Sequence, residues 1–188
     1  MKNYMEDFLL YSAAIHEAGH AVINIVNMFI GKLESLKIVR LYTPVDNEKE
    51  FINYEGYVCF PEYKVRKIKY NTPAKLYVFN RYDIIGRMAG VCAEYLLTQN
   101  RNLDNLWKDA KNDSGRVEQL LNECNSDIKC QKILKLKFWN STCDLIIKNE
   151  KKIHLTAEFI IDYYDKYDPS YSSDKVMGKF IYNILNTK

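Results

Sequence analysis

Ile15-His16-Glu17-Ala18-Gly19-His20-Ala21 is the stretch on which the reading of this chain turns. It lies inside a run from about Tyr4 to Ile30 with helical apolar spacing, and Gly31 follows as a stop signal. On a helix, residues i and i+4 share one face, about a turn apart. The imidazoles of His16 and His20 can therefore reach one metal ion, at roughly 2.0–2.1 Å for zinc. Glu17 follows the first histidine, so its carboxylate can stand beside a water at the metal without ligating it. With three histidines and twelve glutamates in 188 residues, chance supplies this pattern only about 0.003 times. Two of the three histidines fall within it, so coincidence is a poor explanation.

Moving outward, Leu36–Tyr42 reads as a strand ended by Pro44, and Asp46–Glu50 as a polar loop. Tyr54–Phe60 reads as a second strand, ended by Pro61 and able to hold an extended peptide by strand addition if it lies at a sheet edge. Tyr63–Tyr70 reads as a third strand whose Lys64, Arg66, Lys67 and Lys69 form a solvated edge. Thr72-Pro73 suits a helix start, and the pattern from there to Gln99 suggests two helices broken near Asn80. Asn100–Lys111 looks like a loop. Helical patterns follow at Asp113–Cys124, Asp127–Asn149, Lys151–Tyr167 and Asp174–Leu185. The expected class is α+β, predominantly helical, with a small β-sheet or hairpin after the motif helix. The length suits one domain over 1–188, with a metal-binding core at about 1–125 and a helical part at about 126–188.

Lysine and arginine exceed aspartate and glutamate by only three, which argues against nucleic acid as the partner. Glu6 and Asp7 interrupt what would be the apolar core of a signal peptide. Ala21–Ile30 contains Asn24 and Asn27 and is too short to span a bilayer. The five cysteines are odd in number and lack CxxC spacing, so free thiols in a reducing compartment are expected. Together these features predict a cytoplasmic protein without a membrane span.

A metzincin would carry glycine three positions after the second histidine and a third histidine six positions after it. Here those positions are Ile23 and Val26. The third protein ligand must come from elsewhere in the chain, and a carboxylate would complete the site while leaving a position for water. Asp113 also suits a helix N-cap.

The string Ile15–Ala21 resembles the peptidase domain of FtsH-type ATP-dependent zinc metalloproteases, which favour HEAGHA. Ile85-Gly-Arg-Met-Ala-Gly-Val-Cys-Ala-Glu-Tyr-Leu-Leu97 resembles that family's GGRAAEELLFG helix, and Lys111-Asn-Asp-Ser-Gly-Arg-Val117 its SNDLERA segment. Val39–Phe60, with Gly56-Tyr57, is similar to its strands after the motif. Only HEAGHA is specific on its own; the other matches gain weight from their order. The chain departs from the family at Ile85 and at Cys92-Ala93-Glu94-Tyr95, where one glutamate remains of two. The family's AAA ATPase module and membrane anchor are also absent from this sequence.

The resemblance implies a zincin-like metallopeptidase domain. Zn2+ would be bound by His16, His20 and Asp113, with Glu17 as general base acting on a peptide or unfolded protein. Asp109, Asp104, Glu94 and His154 are weaker candidates for the third ligand. Glu94 is better suited to accept the free N–H of His16 or His20. The alternative is a non-catalytic zinc-binding adaptor or regulatory domain that keeps the fold. A separate ATPase or a homo-oligomer would be the partner expected of a peptidase without its own unfolding module.

Overall fold

The structure is a computed structural model. It describes residues 4–28, 35–45, 48–59 and 73–166, with side chains over 7–26, 77–78 and 80–162. The expected strand at Tyr63–Tyr70 and helix at Asp174–Leu185 lie outside the described residues.

The elements run α1 (Tyr4–Met28), β1 (Ser35–Val45), β2 (Glu48–Cys59), α2 (Pro73–Leu97), α3 (Leu103–Asp109), α4 (Lys111–Cys124), α5 (Ile128–Lys148) and α6 (Glu150–Lys166). The α+β class is thereby corrected. Helix accounts for 90% of the residues whose side chains are described. Every residue of the described hydrophobic core sits on a helix. β1 and β2 pair as one antiparallel ribbon, Ser35 opposite Cys59 and Val45 opposite Glu48, with an irregularity between Leu41 and Tyr42. The physical reason for the correction is that two strands alone make no core layer. The apolar faces of the helices bury one another instead.

α1 is the centre of the packing, lying against α2 and α6, while α2 also meets α4 and α5. Ala14, Ile15, Ala18, Ala21 and Val22 form its buried stripe, and Ile84, Ile85, Met88 and Ala89 answer from α2. These residues recur three and four apart, so each helix turns one continuous apolar face inward. Small residues bring α1 and α2 close. A Cβ added at Gly19 would lie 2.6 Å from the Ala93 Cβ and 2.7 Å from the Ala89 carbonyl oxygen.

Two further boundaries are corrected. α2 is a single helix through Asn80. The Asn80 side chain is buried and donates from Nδ2 to Glu123 Oε2 on α4 at 3.2 Å, so tertiary pairing removes its tendency to break the helix. The expected loop at Asn100–Lys111 contains α3. Asn102 accepts from the Asn105 N–H at 3.1 Å as its N-cap, and Leu106 buries its apolar side. α5 is capped by Asp127, whose Oδ1 accepts from the N–H groups of Lys129 and Cys130.

Candidate metal centre

His16 and His20 stand one turn apart on α1, and Asp113 reaches them from the first turn of α4. Their nearest ligand atoms all lie within 4.8 Å of one another. His20 Nε2 is 3.2 Å from His16 Nε2 and 3.1 Å from Asp113 Oδ2. Asp113 is not the cap of its helix: Ala110 occupies that position, with no side-chain cap bond. The carboxylate is turned toward the histidines instead.

The partners of the other ring nitrogens settle what these atoms can do. His16 Nδ1 lies 3.0 Å from Glu94 Oε2. His20 Nδ1 lies 2.8 Å from the Gly86 carbonyl oxygen. Both partners are acceptors, so both Nδ1 atoms carry the proton, a tautomer assigned from these contacts. In neutral rings, both Nε2 atoms then present lone pairs. Two imidazole lone pairs and a carboxylate oxygen converge with no donor among them. Such a constellation is repulsive until a cation enters it.

The donor set fits a metal ion. Ligands about 2.0–2.1 Å from a tetrahedral ion are separated by roughly 3.3 Å, close to the two short spacings seen here. Hydrogen bonding of each ring's remote N–H to a carboxylate or carbonyl is the usual arrangement for metal-binding histidine. The His16–His20–Asp113 group can thus hold a metal ion. Without metal, a proton takes that place. Burial disfavours the charged imidazole, but the Asp113 carboxylate outweighs it, with Glu17 and the Gly86 carbonyl adding, and His20 is raised to about 9. Asp113 moves the opposite way. Burial would raise it, yet His20 and Arg87, whose guanidinium donates to Oδ1 at 3.1 Å, hold it well below the usual carboxylate range.

Glu17 is buried beside the group, and burial pushes its carboxyl up, against the opposing pull of His16 and His20. Glu94, from α2, is held by the Ser12 hydroxyl, which donates to Oε1 at 2.7 Å while Oε2 faces His16. It therefore orients a histidine and is not one of the three clustered groups. His154 lies elsewhere, on α6, hydrogen-bonded through Nδ1 to Tyr11 at 3.0 Å. Asp104 and Asp109 are exposed on α3, and among the described residues neither joins the cluster.

Against known proteins, the chain matches no family model, no curated protein and no solved structure. The chemistry of the site therefore rests on its own geometry.

Sequence reasoning passed over three contributors. Ser12 was legible in principle, since Ser12, His16 and His20 recur at intervals of four. Gly90 is required because a Cβ there would overlap the imidazoles of both His16 and His20. Its signal was the spacing of four from Gly86, which marks a helix face open to close approach. Arg87 had no signal beyond its place next to Gly86. It reaches Asp113, and it also lies 3.6 Å from Asp83 one turn earlier.

Proposed function

We propose that this chain is a zinc-dependent metallopeptidase of the FtsH-like type, acting on peptide or unfolded protein substrates. The observation that carries the reading is a buried glutamate, next to His16 on α1, beside a two-histidine, one-aspartate donor cluster. A structural metal site gains nothing from such a glutamate, whereas a hydrolase needs a base beside the water it activates.

His16, His20 and Asp113 would hold the ion, leaving a coordination position for water or substrate. When bound, zinc supplies Lewis acidity for a scissile carbonyl and lowers the pKa of water toward about 7. Glu17 takes the proton from the attacking water and returns it to the departing amine. Its burial raises its affinity for that proton between the two transfers. Glu94 and the Gly86 carbonyl fix the two ring orientations, and Arg87 fixes Asp113. His16 and Asp113 each keep about 16% side-chain exposure, which gives the donor cluster an open edge.

The test pairs zinc content with hydrolysis in wild type and Glu17→Gln. Near-stoichiometric zinc is expected in both, measured by mass spectrometry, with cleavage of a peptide library lost only in the variant. Zinc-replete wild type that cleaves nothing would point to the adaptor reading. Wild type unable to take up zinc would defeat both.

A further inference from the structure

Away from the metal cluster, Cys92 on α2 and Cys143 on α5 bring their sulfurs to 3.1 Å. Cys92 is completely buried, and Cys143 is half-buried at the same helix contact. Both are free thiols, from helices that pack directly together. We propose that Cys92 and Cys143 form a reversible redox pair that closes to a disulfide across α2 and α5. This inference does not depend on the metallopeptidase reading.

The geometry divides the roles. A disulfide bond is about 2.05 Å long, so the sulfurs need approach by only about 1 Å, within reach of small side-chain rotations. Either sulfur can donate in this contact, and Cys92 has no exposure. Its hydrogen bond to Cys143 pushes it well up, and burial adds to that. The same bond lowers Cys143, against burial and Asp144. Cys143 is the thiol of the pair that solvent can reach, so it is the one that meets an oxidant first.

Hydrogen peroxide is the oxidant class that balances the reaction. The Cys143 thiolate attacks one peroxide oxygen, the O–O bond breaks, and hydroxide leaves to be protonated to water. Cys143 is then a sulfenic acid. The Cys92 sulfur attacks that sulfur, the S–O bond breaks, and the second hydroxide departs as water with the Cys92 proton. Two thiols lose two electrons in all, and one peroxide becomes two waters. The closed bond would enclose α3 and α4, including Asp113, in a loop tied at both ends.

The experiment exposes the full chain to hydrogen peroxide, then unfolds it and labels free thiols with N-ethylmaleimide. The oxidised chain should carry two fewer labels and, before labelling, be about 2 Da lighter. Peptide mapping should join Cys92 to Cys143, and dithiothreitol should restore both labels. Cys143→Ser and Cys92→Ser should each abolish the cross-link. Because Cys143 is half-buried, its variant also covers the case in which Cys92→Ser fails to fold. The oxidised wild type should melt about 5–15 °C higher than the reduced form, from the closed loop. A cross-link between other cysteines in place of this one, or full labelling after peroxide, would overturn the proposal.

Discussion

The Nε2 atoms of His16 and His20 face each other at 3.2 Å, and neither ring in its neutral form has a proton to offer the other. Each has committed its single N–H to the far side, His16 to Glu94 and His20 to the Gly86 carbonyl. With both rings neutral, placing two lone pairs and the Asp113 carboxylate around one point costs free energy in a buried setting. A cation at that point repays it. The α1–α2 contact is built so that this arrangement cannot relax, because the rings lie directly against the backbone at Gly90.

Gly90→Ala distinguishes a metal site from incidental packing. In an unconstrained helix interior, alanine in place of glycine stabilises by about 0.5–1 kcal/mol. Here the added methyl would overlap both imidazoles, so the sign should reverse. The variant should bind zinc at least about tenfold more weakly, and melt no higher than wild type. Chelator competition and thermal unfolding read the two quantities. An alanine variant that is more stable and keeps its zinc would show that the rings have room to move.

Glu94 should act on zinc affinity through His16. Glu94→Gln keeps an acceptor of the same shape but removes the charge that holds the His16 N–H. Zinc affinity should fall about 10–100-fold, with Ser12→Ala giving a smaller loss because it only steadies the carboxylate. Competition with a zinc-sensitive dye measures both. Unchanged affinity in Glu94→Ala would remove Glu94 from the site.

The three clustered residues were within reach of the sequence for different reasons. His16 and His20 are local: a helix fixes i and i+4 on one face whatever the rest of the chain does. Asp113 is separated from them by almost a hundred residues, and no spacing rule connects them. Only the resemblance nominated it, in competition with Asp104, Asp109, Glu94 and His154. The fold class failed where local patterns compete with tertiary packing. The strands read from 36–60 do form, as β1 and β2, but two strands make no layer and the helices supply the described core. Asn80 reads as a helix breaker, but its amide finds Glu123. α3 is short and polar, so its helical character depends on the Asn102 cap and the buried Leu106, which composition does not reveal.

The competition between metal and proton makes the last prediction. In the metal-free protein His20 is raised to about 9 from an ordinary 6.5. The stability from its charge is fully present below pH 6.5 and lost as pH rises through 9. Asp113 is depressed below its ordinary 3.8, so its share is present above that value and lost as pH falls through the folded one. The metal-free fold should therefore lose about 3 kcal/mol between pH 6.5 and 10, a slope that Asp113→Asn should largely remove. Urea unfolding at a series of pH values measures it. Zinc must displace the same proton. Its binding near pH 7.5 should release roughly one proton, and its affinity should rise about tenfold per pH unit until the imidazole is neutral near pH 9. Calorimetry in buffers of different ionisation enthalpy counts the proton directly. Binding that releases none at pH 7.5 would mean that His20 is already neutral there, and that Asp113 does not hold the ring as the 3.1 Å contact indicates.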